Sequence, residues 1–260
     1  MVDIGEHERQ QETLRLLDGT GRVSVRELAT RFGVSLVTVR KDLEALERRR
    51  LLRRLRGGAV GASGADEGAF EMRLRHRSAE KRAIARAAAE IVRDDDAIAL
   101  DGSTTCYFLA QELRDRRGLV VLTNGLRTAE MLSEAGAIVL LPGGTLRRSS
   151  WSLIGDIGDV FAGRGRVARG FFGVRSLSPE AGLLELSVEE TAVKRRLVSV
   201  SGEVYGLFDS GKVGRFALHT FAEPERITGL ITDAGMDEED IAGWRAVGVD
   251  VRVTQAEADP

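Results

Sequence analysis

Between residues 97 and 253, seven short aliphatic runs alternate with segments of helical spacing: "AIALD", "LVVLTN", "AIVLLPGG", "ARGFFGV", "VYGLFDS", "ITGLITD" and "VDVRV". This alternation constrains the fold more than any other feature of the chain. Short buried strands interleaved with helices build an α/β domain around a largely parallel sheet, because parallel strands need crossover connections that cover both faces. The stretch "SAEKRAIARAAAEIV", with Ile84, Ala87 or Ala88, and Ile91 at helical spacing, leads into the first strand. The longest aliphatic run, "AIVLL" at 137–141, is far shorter than the roughly 20 apolar residues of a membrane helix, so no membrane partner is expected.

In open parallel sheets ligands bind beyond the carboxyl ends of the strands. Four of these exits carry small or polar residues. In "LDGSTT", Gly102 permits close backbone approach and the hydroxyls of Ser103, Thr104 and Thr105 suit phosphate oxygens. The helix that follows offers free N–H groups and partial positive charge. A capped helix after a serviceable turn explains the same four residues equally well. Asp101 would repel phosphate and is assigned to a sugar hydroxyl or to structural hydrogen bonding. "LTNG" places Asn124 and Gly125 before another helix. "PGGTLRRSSWSLIG" carries Gly143, Gly144 and Arg147, able to reach over the same crevice, while Trp151 is expected to pack rather than stack on a ligand. "FDSGKVG" puts Asp209 and Lys212 in a loop, where Lys212 would meet an anion held by residues 103–105.

The first sixty residues follow a different rule. In "HERQQETLRLLDGTG", Leu14 and Leu17 lie three apart and "DGTG" ends the helix. Ser24 and Glu27 form the S-x-x-E capping box of a second helix with Leu28 and Phe32 inward. Gly33 supplies a left-handed turn. Ser35 then caps a third helix whose inner stripe is Val39, Leu43 and Leu46. Two helices joined by a tight glycine turn make a helix–turn–helix. Leu36, Val37, Thr38, Arg40, Lys41 and Glu44 face away from the stripe, where such helices meet base edges. Arg or Lys suits guanine, and aliphatic or threonine methyls suit thymine. Glu44 would repel phosphate unless it accepts from a cytosine amine or stays clear of DNA.

The segment "LLRRLRGGAV" mixes apolar and basic residues as a two-stranded wing does, with Gly57 and Gly58 at its bend. Arg48, Arg53, Arg54 and Arg56 would neutralise phosphates there and make affinity steeply salt-dependent. Charge supports this division. From Arg22 to Val60 there are eleven Lys/Arg against four Asp/Glu, a balance of +7, so with a net charge of −2 the remainder sums to −9. A basic module that meets a polyanion is attached to an acidic body. "GGAVGASGADEGAF" has the composition of a linker. A helix–turn–helix unit is therefore expected over 1–60, a linker and connecting segment over 61–77, and an α/β domain over 78–260. One cysteine, Cys106, excludes an internal disulfide and fits a reducing cytoplasm. His7, His76 and His219 show no metal-ligand spacing with it, so no metal or other cofactor is expected. The polar, acidic N-terminus does not read as a secretory signal.

"VSVRELATRFGVSLVTVRKDLEALERRRLLRRLRGGA" resembles the N-terminal winged helix–turn–helix of DeoR-type bacterial transcriptional regulators, in the order V-S, T-[IV]-R-[RK]-D-L, L, then R and G-G-A. "IALDGSTT", "VLTNGL", "LPGGTLRRSSWSLIG" and "LFDSGKVGRFA" resemble the effector domain of the same family, so the likeness runs over roughly residues 8–255. It implies a fold akin to ribose-phosphate isomerases without isomerase activity, and a phosphorylated sugar or related metabolite as inducer. Carried over by position, Gly102, Ser103, Thr104 and Thr105 would be the phosphate loop, with Asn124, Gly144 and Lys212 at other motif positions. Three departures stand out. Arg56 replaces a histidine, Gly211 replaces the second serine of D-S-S-K, and Arg175, Ser176 and Leu177 stand where the family reads D-G-[IV]. Arg175 would lie at the sugar end and add a second anion contact.

The expected protein is a cytoplasmic DNA-binding regulator, a repressor of carbohydrate-metabolism genes whose operator binding a phosphorylated sugar controls. One recognition helix reads only a few base pairs, so at least a homodimer is expected. The alternative is a sugar-phosphate isomerase with a fused DNA-binding arm and Glu180 or Glu185 as its base. No close acid pair follows "GFFGV", which disfavours it. A third reading, an architectural DNA-binding scaffold without ligand, leaves the polar strand exits without a purpose.

Overall fold

In a computed structural model of the chain, the described residues are 5–20, 22–48, 51–61, 70–155 and 165–255. Arg49 and Arg50 of the arginine run, and most of the linker at 62–69, lie outside them. The chain divides into two units, residues 1–73 and 74–260.

The first unit runs α1 (Glu6–Thr20), β1 (Arg22–Ser24), α2 (Val25–Phe32), α3 (Leu36–Arg48), β2 (Leu52–Leu55) and β3 (Gly58–Gly61). Ser24 and Glu27 close the expected capping box, and Gly33 ends α2 at φ 66° with its N–H on Ala29 O. The strands form an antiparallel sheet in the order β1-β3-β2. The two wing glycines are needed for different reasons. Gly57 turns the chain at φ 88°, where a side chain would be strained. Gly58 lies against β1, and a Cβ there would sit 2.1 Å from the carbonyl oxygen of Val23. Leu17, Val23, Leu28, Phe32, Val39, Leu43, Leu46 and Leu52 fill the core. Beside it Arg9 of α1 grips Asp42 of α3, Nε to Oδ2 at 2.9 Å and Nη2 to Oδ1 at 3.3 Å, with both residues buried.

α4 (Phe70–Arg75) lies within the segment expected to connect the units. The second unit continues with α5 (Ser78–Ala89), β4 (Ala97–Leu100), α6 (Thr104–Glu112), β5 (Val120–Thr123), α7 (Leu126–Glu134), β6 (Ile138–Leu140), β7 (Thr145–Arg147), β8 (Ser152–Ile154), β9 (Val167–Gly173), β10 (Ser176–Ser178), β11 (Gly182–Glu185), α8 (Val188–Val200), β12 (Ser201–Leu207), β13 (His219–Ala222), β14 (Gly229–Asp233), α9 (Glu238–Ala246) and β15 (Asp250–Thr254). The seven aliphatic runs are the seven strands of one parallel sheet, ordered β15-β14-β12-β9-β4-β5-β6. Adjacent phenylalanines of β9 show why it is covered twice. Phe171 packs with Ile84, Cys106 and Leu109 on one face, and Phe172 with Val193, Phe221 and Trp244 on the other. A small antiparallel sheet, β10-β11-β13, and a β7-β8 hairpin complete the unit.

The chain passes from β4 outward through β5 and β6, and from β9 outward through β12, β14 and β15. The order therefore reverses between β4 and β9. That switch point is where a doubly wound sheet opens a crevice beyond its carboxyl ends.

Candidate functional site

On the first unit, α3 presents an exposed face of Leu36, Val37, Arg40, Lys41 and Glu44. Ser35 and Thr38 are turned to the helix start. The Ser35 hydroxyl accepts from Thr38 N at 3.0 Å and lies 2.8 Å from the Thr38 hydroxyl. Arg48, Arg53, Arg54 and Arg56 are all exposed, and so is Leu55. Arg54 is tied back to α3: its backbone N and its Nε donate to Glu47 at 2.8 and 2.7 Å. The backbone N–H first, and then the guanidinium, hold the Glu47 carboxyl below its ordinary range. The pair fixes the wing against the helix, which the arginine count alone did not reveal. Asp42, one of the four acids counted in the basic segment, is the buried partner of Arg9.

In the second unit, the switch point gathers the first two predicted exits. Asp101 is fully buried, its Oδ1 accepting from Ser103 N (3.0 Å) and its Oδ2 from Gly173 N (2.9 Å). Ser103 caps α6 by accepting from Cys106 N, while Thr104 and Thr105 are buried in the first turn. Gly102 and Gly125 meet backbone to backbone: a Cβ on Gly125 would lie 2.8 Å from Gly102 Cα. Gly173 is equally constrained, since a Cβ there would touch Ser103 Oγ at 2.5 Å. Asn124 donates to Leu153 O at 3.1 Å. Burial, with Asp101 close by, pushes the Cys106 thiol well above its ordinary value, so it stays a neutral core group.

The crevice has an electrostatic centre that sequence reasoning missed. Lys194 of α8 is buried, with Nζ 2.6 Å from Glu185 Oε2, 3.2 Å from Asp101 Oδ2 and donating to Gly173 O at 2.8 Å. Burial alone would strip its proton, but Glu185 and Asp101 outweigh that and hold its pKa above the ordinary lysine value. Asp101 thus lends its charge to the interior rather than to the crevice mouth. Glu190, one turn before Lys194, accepts from Ser150 (3.0 Å) and Ser152 (2.6 Å), with Arg147 Nη1 at 3.9 Å. Burial raises its pKa against the opposing pull of Ser152 and Lys194. Glu190 and Lys194 at i and i+4, on a helix face otherwise filled by Thr191, Val193 and Leu197, were the signal available in the sequence. Gly144 serves the hairpin: at φ 111° its Cβ would lie 2.6 Å from Ile154 O. Arg127 stacks over the Trp151 ring at 4.3 Å.

The last predicted exit lies two strands from β4. Lys212 follows Asp209 in a short turn, and Arg77 Nη1 reaches Asp209 Oδ1 (3.2 Å) and Ser210 Oγ (2.9 Å). Burial alone would raise the Asp209 pKa, but Lys212, Lys81, Arg77 and Arg215 bring it below its ordinary value. A Cβ on Gly211 would lie 3.0 Å from Asp209 Oδ1 and 3.3 Å from Arg77 Nη1, so the glycine makes room for the guanidinium. Arg175 continues from β9, its backbone N donating to Leu184 O. Among the described residues, the buried side-chain atoms without a hydrogen-bond partner include Asn124 Oδ1, Asp209 Oδ2 and Thr232 Oγ1, all near strand ends. Among the described residues no three His, Cys, Asp or Glu are grouped to hold a metal ion. Nor is any helix among them long and apolar enough to cross a membrane.

A model of the DeoR-like helix-turn-helix domain matches residues 9–64, and a model of the DeoR C terminal sensor domain matches residues 76–234. The chain belongs to the DeoR family. This DeoR-family chain is a DNA-binding transcriptional regulator. It is 31% identical over 250 residues to the HTH-type transcriptional regulator GolR of Listeria innocua, covering 95% of this chain and 98% of GolR. It is also 31% identical to the lactose phosphotransferase system repressor of Streptococcus mutans, over 90% of this chain and 94% of that one. Ribose 5 phosphate isomerase A from Neisseria gonorrhoeae shares 14% identity at a TM-score of 0.40, over 51% of this chain and 52% of that one.

Proposed function

We propose that this DeoR-family regulator is a repressor of carbohydrate-metabolism genes, released from or tightened on its operator by a phosphorylated sugar bound at the sheet's switch point. Residues 1–60 read DNA and residues 78–260 hold the ligand and join at least two copies in the cytoplasm. The observation that carries the ligand assignment is the distribution of acids at helix starts. Acidic residues occupy the first turns of α1, α2, α4, α5, α8 and α9, where they complement the helix dipole. Among the described residues only α3, α6 and α7 begin without one. α3 is the DNA-reading helix; α6 and α7 open at the switch point, where an anion can take those N–H groups that the Ser103 cap on Cys106 N and the Leu126 N contact to Trp151 O leave over. The unpartnered Asn124 Oδ1 and Asp209 Oδ2 supply acceptors for sugar hydroxyls. The relatives named as a transcriptional regulator and a lactose-system repressor support the regulatory half.

The protein works without turnover. Glu185, the candidate base, is buried, and each of its oxygens already accepts a hydrogen bond, Oε2 from Lys194 at 2.6 Å and Oε1 from Leu186 N at 2.9 Å. A gel-shift titration against the DNA flanking its own gene, with and without a panel of pentose and hexose phosphates, tests the whole reading. Salt-sensitive specific binding that at least one sugar phosphate alters is expected. Silence across the panel, in both gel shift and thermal shift, overturns the ligand assignment. Isomerisation abolished by Glu185→Gln overturns the regulator-only reading.

A further inference from the structure

The exposed face of α3 begins with two aliphatic side chains that the fold itself does not use. Leu36 is 41% and Val37 71% exposed, while Val39, Leu43 and Leu46 already complete the inner stripe. Neither residue suits its place in an isolated unit. First-turn positions at a surface favour acids, and a β-branched valine is a weak helix former. Four residues further on, Arg40 stands over Leu36 and Lys41 over Val37, so the face has an apolar head and a cationic middle.

We infer that Leu36 and Val37 are sequence-reading residues that pack against thymine methyl groups in the operator's major groove. The inference rests on the reading of α3 as the DNA-recognition helix. Charge selects the occupant. The patch adjoins exposed Arg40 and Lys41 on a unit whose wing bears exposed Arg53 and Arg56, and no acid lies in its helix turn. A polyanion fits that border, and thymine is the base whose groove edge carries a methyl. Positions four apart on a helix are about 6 Å apart, or about two base steps at 3.4 Å. Each half-site should therefore hold a thymine about two base pairs from a guanine met by Arg40 or Lys41.

The test starts by selecting half-sites from randomised DNA with the full chain. Each selected thymine is then replaced by uracil, which removes only the methyl. At one or two positions the wild-type protein should lose about fourfold in affinity, the equivalent of about 0.8 kcal/mol for one buried methyl-sized group. Leu36→Ser or Val37→Ser should bind the thymine operator with a similar loss and become indifferent to uracil at the matching position. Both sites are on the surface, so the unit keeps its core. Wild-type protein that binds its selected operator tightly yet ignores every uracil replacement overturns the inference while leaving DNA recognition standing. A uracil penalty unchanged in both serine variants also overturns it, since the methyl then meets other residues. Selection that enriches no sequence removes the recognition helix itself.

Discussion

Replacing Lys194 by methionine probes the charge balance on which the crevice depends. Methionine keeps an unbranched stem of similar reach and deletes the ammonium. Glu185 and Asp101, buried and 2.6 and 3.2 Å from that ammonium, then lose their shared counterion. Removing one partner of a buried pair costs about 3–5 kcal/mol. Asp101 keeps two backbone donors, Ser103 N and Gly173 N, and Glu185 keeps Leu186 N at 2.9 Å, which holds the loss within that range. For a unit of this size each kcal/mol moves the midpoint by about 2–4 °C, so calorimetry on the full chain should show the second unit melting roughly 6–20 °C lower.

The second arm of the experiment removes a carboxylate instead of the ammonium. Glu185→Gln alone should destabilise, because it takes an anion from Lys194. In the Lys194→Met background the same change deletes one of two uncompensated carboxylates and should stabilise. A reversal of sign is the signature of a shared counterion, and simple packing cannot produce it. A cost below about 1 kcal/mol for Lys194→Met, or the same sign for Glu185→Gln in both backgrounds, refutes the assignment.

Arg9→Met strands Asp42 in the first unit and should cost about 3–5 kcal/mol in urea denaturation, with operator binding lost at temperatures the wild type tolerates; an unchanged midpoint contradicts a structural role for the pair. Two of the shifted carboxylates, Asp209 and Glu190, should respond to pH in opposite directions. Asp209, lowered by its ring of cations, contributes stability above the ordinary 3.8 that is lost as pH falls through its folded pKa. Asp209→Asn should therefore cost about 1–3 kcal/mol at neutral pH and progressively less as pH falls below 3.8, read from denaturation midpoints across pH 2–7. Glu190, raised by burial, gives stability below the ordinary 4.5 that is lost as pH rises. Glu190→Gln should gain on the wild type as pH climbs, and parallel curves for both variants would contradict the two assignments. Gly58→Ala forces a Cβ against Val23 O and should cost about 1–3 kcal/mol in the same denaturation assay; a neutral result would mean that the wing shifts freely.

The parallel sheet was legible because its strands are continuous apolar runs, as burial on both faces requires. The strands that escaped notice, β7, β8, β10, β11 and β13, are three or four residues long and partly exposed, too short to set a period. Local chemistry was legible as well: the capping box at Ser24, the turn at Gly33 and the cap at Ser103 each involve atoms within a few residues. Side-chain direction and distant pairing were not. Thr104 and Thr105 read as hydroxyls for a ligand, and the sequence did not show that the first turn of α6 places both in buried positions. Asp42 finds its cation 33 residues away, and Lys194 joins Glu185 of β11 to Asp101 just after β4, so neither set of partners leaves a local pattern.

Charge placement also sets how the operator should respond to salt. The acidic remainder of the chain, at −9 outside Arg22–Val60, repels phosphate, so DNA attraction is concentrated in that segment, where α3 and the wing carry most of the cations. Of the described cations there, Arg40, Lys41, Arg48, Arg53 and Arg56 are exposed, whereas Arg54 already has Glu47 at 2.7 Å. Each phosphate contact contributes about −0.9 to the slope of log affinity against log salt. Five such cations cap these residues' share at about −4 to −5 per subunit. Glu47→Gln frees the Arg54 guanidinium, and the slope should steepen by up to about 1 per subunit if that group can then reach a phosphate. A wild-type slope shallower than about −1 per subunit would mean that these arginines do not face the duplex, and the recognition surface would have to be sought elsewhere on the first unit.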